Sequence, residues 1–122
     1  MVVTRIHVGT GTRDVFGMLD SGADKVSIPK NIADAFQIPY DSDQTVNLDT
    51  SSGTASANVC TVQMEVLGLT EPSNPLSCEA LIVPSNLDFI LLGRSPWFEK
   101  YQIGFNSTSG VSLFALSPPS ST

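Results

Sequence analysis

The residues best placed to do chemistry are Asp20-Ser21-Gly22-Ala23, which follow the apolar run Val15-Phe16-Gly17-Met18-Leu19 and precede Asp24-Lys25-Val26-Ser27-Ile28. That order delivers a carboxylate from the end of a buried strand into a tight turn. Gly22 permits a sharp backbone turn, and the Ser21 hydroxyl can lock the loop by hydrogen bonding. A carboxylate in this setting suits general acid-base work, although the same four residues also fit a plain Asx-turn after an edge strand. Far along the chain, Phe89-Ile90-Leu91-Leu92 is a second apolar run, closed by Gly93-Arg94.

Other chemistries are poorly served. Cys60 and Cys78 have no metal-ligand spacing and His7 is the single histidine, so neither a metal site nor a Cys/His nucleophile is expected. No cofactor is implied. Six basic residues stand against twelve acidic ones, for a net charge of −6. The basic residues Arg5, Arg13, Lys25, Lys30, Arg94 and Lys100 are scattered, which argues against nucleic acid as a partner. Gly9-Thr10-Gly11-Thr12 reads as a hairpin turn rather than a phosphate loop, because the next element is a strand with no helix N-terminus to receive an anion. The longest apolar stretch, Phe89 to Leu92, is far too short for a membrane span, and no secretory signal opens the chain. The expectation is a soluble interior compartment or release from a larger precursor.

The elements that must position the carboxylate are mostly strands. Short apolar runs broken by turn residues predict an all-β domain over residues 1–116, with 117–122 a disordered Ser/Pro tail. Val2–Val8 and Val15–Leu19 form a first hairpin. Pro29 to Phe36, with apolar Ile32, Ala35 and Phe36, predicts a short helix. Thr45–Asp49 and Ala55–Leu67 form a long hairpin, followed by a loop over Gly68–Ser77 and a strand over Cys78–Val83. Leu87–Leu92 is predicted as a strand, Ser95–Tyr101 as a helix, and Ile103–Phe105 with Val111–Leu116 as a terminal hairpin. Cys60 and Cys78 are expected several residues out of register, as buried thiols without a disulfide.

The pairing of apolar-Asp-Ser-Gly-Ala-Asp with Ile-Leu-Leu-Gly-Arg, separated by a hairpin of flap character, resembles the retropepsins, the retroviral-type aspartic proteases. The resemblance spans about Val3 to Phe105, and a helix-bearing insertion after Ile28 is similar also to the retropepsin-like domains of DNA-damage-inducible ubiquitin shuttle proteins. It implies an acid-protease barrel with one or two short helices, each chain being half of a two-fold dimer. By resemblance Asp20 is catalytic, Ser21, Gly22 and Ala23 build the active-site loop, and Leu92-Gly93 packs beneath it. Asp24 and Arg94 match a pair that holds the turn against the second helix, which predicts a partly buried ion pair.

Peptide hydrolysis by this route needs two carboxylates sharing a proton, one activating water and the other protonating the carbonyl oxygen. The chain has one Asp-Ser-Gly; Asp49-Thr50-Ser51 is the nearest imitation and falls in the flap. A homodimer with Asp20 from each subunit at the twofold axis meets the requirement. The flap tip, Asp49, Thr50, Ser51, Ser52, Gly53 and Thr54, would close over a polypeptide substrate bound as an extended strand. Two other readings stand beside the endopeptidase: a catalytically silent retropepsin-like dimerisation or peptide-binding module, and an unrelated β-barrel ligand binder.

Overall fold

The computed structural model describes residues 2–20, 22–50, 53–67, 75–98, 101–106 and 110–115. β1 (Val2–Val8) and β2 (Gly11–Leu19) pair antiparallel from Val8↔Gly11 to Val2↔Gly17. Their two-residue turn starts at Gly9 with φ 57°, a conformation that glycine adopts without a Cβ clash.

β3 (Val26–Pro29) runs directly into α1 (Lys30–Phe36). Pro29 precedes the first helical residue, where its missing N–H costs nothing. The helix stops at Gln37, which turns left-handed (φ 58°, ψ 40°). The N–H of Ile38 then returns to the Ala33 carbonyl at 2.9 Å. Its inward face is Ile32 and Ala33, with Phe36 packed against the core. Ala35, expected inside, is exposed, because the stripe that meets the sheet runs through Ala33 instead.

β4 (Thr45–Thr50) pairs with the first six residues of β5 (Gly53–Val66), from Thr50↔Gly53 to Thr45↔Asn58. β5 then changes partners. From Asn58↔Ile82 to Met64↔Leu76 it pairs with β6 (Leu76–Val83), and from Gln63↔His7 to Val66↔Thr4 with β1. Asn58 is the junction, and its side-chain amide donates to the carbonyls of Asp41 (3.4 Å) and Ser42 (3.3 Å). β7 (Ile90–Leu92) runs parallel to β2, β3 runs parallel to β6, and β3 and β7 meet at Ser27↔Leu91.

The hydrogen-bonded circuit β1-β2-β7-β3-β6-β5 therefore returns to β1 as a closed barrel, with β4 outside it. Closure removes exposed sheet edges and encloses one core. Ile6, Val26, Ile28, Met64, Ile82, Ile90, Leu92 and Trp97 fill that core, each at most 2% exposed. This is the all-β barrel with a short helix that the sequence predicts.

Several boundaries differ from expectation. β6 begins at Leu76, two residues ahead of Cys78, and most of the loop expected over Gly68–Ser77 lies outside the described residues. β7 is only three residues long, and Leu87 ahead of it is exposed. The helix expected over Ser95–Tyr101 is a single turn over Arg94–Phe98, in which Ser95 is extended (φ −102°, ψ 126°). The ring of Pro96 disfavours helical backbone at the residue before it, which accounts for the break. Tyr101 instead opens β8 (Tyr101–Asn106), paired with β9 (Gly110–Ala115) in a two-stranded sheet of its own.

The cysteines are closer than expected. Val62↔Cys78 and Cys60↔Ala80 make them diagonal neighbours two residues apart in register, both buried and both free thiols. The tail at 117–122 lies outside the described residues.

Candidate active site

Two parallel strand ends build the site. β2 ends at Leu19, and the next N–H, that of Asp20, continues the ladder by donating to the Leu92 carbonyl at 3.0 Å. Asp20 then starts a tight turn: the Ala23 N–H donates to the Asp20 carbonyl (3.2 Å) and the Gly22 N–H donates to Asp20 Oδ1 (2.9 Å). One carboxylate oxygen is thus fixed by the turn's own backbone. Oδ2 makes no hydrogen bond to a described residue, and the side chain is partly exposed.

Gly22 has a second use beyond the sequence expectation. It sits inside the tight turn that the Ala23 N–H closes onto the Asp20 carbonyl, as the sequence predicts, and does so without a left-handed φ. A Cβ there would stand 3.2 Å from Asp20 Oδ1, so glycine is what lets the carboxylate lie against the backbone N–H.

The segment after β7 braces this turn from below. The Arg94 N–H donates to the Ala23 carbonyl (2.8 Å) and the Ser95 N–H to the Asp24 carbonyl (2.9 Å). Gly93 makes that approach possible: a Cβ on it would lie 2.4 Å from the Lys25 carbonyl oxygen and 2.7 Å from the Lys25 carbonyl carbon and nitrogen. Leu92 beneath is fully buried. The sequence therefore placed Asp20, Gly22, Ala23, Asp24, Leu92, Gly93 and Arg94 in one cluster, as the structure does.

Arg94 and Asp24 do form an ion pair, Nη2 to Oδ1. It is not the partly buried pair expected: the Arg94 and Asp24 side chains are 58% and 77% exposed. Both project outward because the backbone, not the side chains, carries the packing between the two segments. Ser21 lies outside the described residues.

In the long hairpin, Asp49↔Thr54 and Thr50↔Gly53 are the last pairs before the tip. Asp49 and Thr54 are exposed and Gly53 has φ 125°, while Ser51 and Ser52 lie outside the described residues. Asp49 hangs on this arm and is not part of the Asp20 turn.

The thiols do not belong to this chemistry. Burial pushes Cys60 up to about 11 and Cys78 up to about 12, the latter helped by its neighbour Cys60. Both stay protonated and act as small core hydrophobes. Among the described residues no group of three or more His, Cys, Asp or Glu is arranged to hold a metal ion. No helix among them is long and apolar enough to cross a membrane. An open hollow of about 530 Å³ lies elsewhere, lined by Tyr40, Val59, Cys60 and Glu79 among others, and does not include Asp20.

The row of side chains leading up to Asp20 on β2 was missed by the sequence reading. Phe16 and Met18, in the apolar run before Asp20, are 57% and 40% exposed. Strand alternation through inward Val15 and Leu19 was the clue that could have found them.

Comparison with known proteins agrees with the geometry. Residues 6–96 match a family described as "gag-polyprotein putative aspartyl protease". The solution structure of Simian Foamy Virus (mac) protease is similar at 26% sequence identity and a TM-score of 0.53, covering 81% of this chain and 94% of that one. A search of curated proteins finds no match.

Proposed function

Because the chain belongs to the retroviral-type aspartyl protease family, we propose that it is an aspartic endopeptidase whose active site forms when two copies bring their Asp20 carboxylates together. The observation that carries this reading is the Asp20 turn. A partly exposed carboxylate is held by the Gly22 N–H at Oδ1, on a loop braced by the segment after β7.

Two such carboxylates facing across a twofold cannot both ionise cheaply, so they share one proton. The ionised member takes a proton from water as the oxygen attacks the scissile carbonyl carbon, and the protonated member gives its proton to the carbonyl oxygen. Collapse of the tetrahedral intermediate breaks the C–N bond, with the proton taken from water passing to the departing nitrogen. Ser21 links the two loops in this arrangement, and the backbone braces at Ala23 and Asp24 keep the carboxylates within reach. The hairpin tip from Asp49 to Thr54 closes over an extended substrate strand and excludes water.

The terminal hairpin supports the dimer. Among the described strands β8 and β9 pair in a sheet only with each other, and an isolated two-stranded sheet is marginal in water. Its register places Tyr101 with Ala115, Ile103 with Leu113 and Phe105 with Val111, an apolar series suited to meeting the same series in a second copy.

The test is cleavage of denatured protein at acid pH by wild type and Asp20→Asn. Wild type should cleave, lose activity more than linearly on dilution and be blocked by a transition-state-type aspartic protease inhibitor, while Asp20→Asn folds and dimerises without cleaving. A wild-type dimer that never cleaves would instead identify a silent binding module.

A further inference from the structure

The outer face of β2 carries an apolar row that ends at the carboxylate. A strand alternates with period two, so Phe16, Met18 and Asp20 share one face, while Val15 and Leu19 pack toward the core and Gly17 is buried between them. Phe16 is 57% exposed, and Val3, directly opposite it on β1, is 37% exposed. Met18, 40% exposed, pairs on its other side with half-buried Leu91 of β7. Three of the five large hydrophobics exposed among the described residues thus stand together beside the catalytic turn, the other two being Val46 and Leu87. Single exposed apolar residues are ordinary; a contiguous group marks a contact surface.

No free charge interrupts it. Arg5, next outward from Val3 on the same face of β1, is tied to Asp14 by two hydrogen bonds of 2.9 and 3.1 Å.

We propose that Phe16 and Val3 form an outlying apolar subsite that takes an aliphatic or aromatic side chain of the substrate, well away from the scissile bond. The proposal rests on the aspartic endopeptidase reading of Asp20 and deepens it. Four residues of strand separate Phe16 from Asp20, or about 14 Å at 3.4 Å per residue, so an extended peptide centred on Asp20 reaches Phe16 with its third or fourth residue. Size favours a peptide over a second folded copy: three side chains offer on the order of 300 Å², against roughly 800 Å² per partner in a stable interface. Continuity with Asp20 on one strand face favours a ligand that also engages the carboxylate.

The test uses the full chain and peptides of ten residues around one cleavable bond, with Leu, Phe, Ser or Glu placed in turn at each position up to five from that bond. Phe16→Ser, an exposed substitution, is compared with wild type after circular dichroism and sedimentation have checked fold and dimer. Wild type should favour Leu or Phe over Glu by about tenfold in kcat/KM at a position three or four residues out, the equivalent of about 1.4 kcal/mol of apolar contact. Phe16→Ser should lose that preference through KM, keeping kcat and the preferences next to the scissile bond. Val3→Ser should give a weaker version of the same loss.

An unchanged KM and an unchanged remote preference in Phe16→Ser would overturn the subsite. So would a variant whose only defect is weaker dimerisation, since the row would then be a contact between copies. Wild type that cleaves no peptide would overturn the endopeptidase reading itself, which the first experiment on denatured protein tests separately.

Discussion

Replacing Gly93 with Ala should do more harm than the same change at any other glycine whose surroundings the structure describes. The new Cβ would stand 2.4 Å from the Lys25 carbonyl oxygen and 2.7 Å from two more Lys25 backbone atoms. None of these is the far end of a flexible side chain, so the two backbone segments must separate. Overpacking of this kind costs typically about 1–3 kcal/mol. Separation also weakens the Arg94 N–H to Ala23 and Ser95 N–H to Asp24 bonds, at 2.8 and 2.9 Å, the backbone links among the described residues between the segment after β7 and the Asp20 turn. Each is worth about 0.5–1.5 kcal/mol. Alanine returns about 0.4–1 kcal/mol by restricting the unfolded chain. The net loss is therefore about 1–5 kcal/mol, out of a total stability of about 5–15 kcal/mol expected of such a domain. Urea unfolding read by the fluorescence of Trp97, the sole tryptophan and fully buried, gives the number directly. Because the same bonds place Asp20, cleavage activity should fall further than the folded fraction does. A Gly93→Ala protein within 0.5 kcal/mol of wild type, with full activity, would refute the claim that backbone contact at Lys25 braces the active-site turn.

Other outcomes follow from the same coordinates. Arg94→Ala should cost only about 0–1 kcal/mol, because its pair with Asp24 is solvent-exposed, and a double-mutant cycle with Asp24→Asn should give a coupling in that range. Stability should fall on the alkaline side. Both thiols have folded values above the ordinary 9.0, so their contribution is full below pH 9 and is lost as pH rises toward about 11 for Cys60 and about 12 for Cys78. At pH 10 the unfolded chain gains about 1.4 kcal/mol per ionised thiol, and a Cys60→Ala, Cys78→Ala protein should show a flatter urea midpoint between pH 8 and 10. Thr4 is fully buried, and its Oγ1 has no hydrogen-bond partner among the described residues. Thr4→Val should therefore stabilise the fold by about 1–2 kcal/mol in the same unfolding assay, with a loss of stability counting against an unsatisfied hydroxyl.

What was legible in the sequence was local. Gly9 at a hairpin turn, Pro29 ahead of a helix and alternating Cys60, Val62, Met64 and Val66 each report their own backbone through short-range sterics or burial. The Asp20 turn was legible for the same reason, and so was its link to Leu92-Gly93, once the two motifs were taken together. The parallel pairing of β2 with β7 and of β3 with β6 was not, because nothing in a strand of three or four residues encodes its partner. The Ser95 break needed the effect of Pro96 on its predecessor rather than helical spacing. Arg94 and Asp24 were correctly paired but wrongly buried: charge complementarity shows in a sequence, whereas solvent access depends on which face of the turn packs. Gly22 was legible as part of a tight turn, whereas the space it leaves for an Asp20 oxygen depends on where the side chain folds back.

β5 is one unbroken strand with unequal support along its length. Beyond Asn58 it is clamped by β6 and then β1, while from Gly53 to Ala57 only β4 accompanies it. Mechanically this is a beam fixed in a wall, with its free end at the arm that carries Thr54. Its stiffness is set at the clamp, where the amide of Asn58 grips the loop at Asp41 and Ser42. Changes in the barrel wall at Cys60 or Val62 would thus be carried along β5 to the arm at Thr54, several residues away.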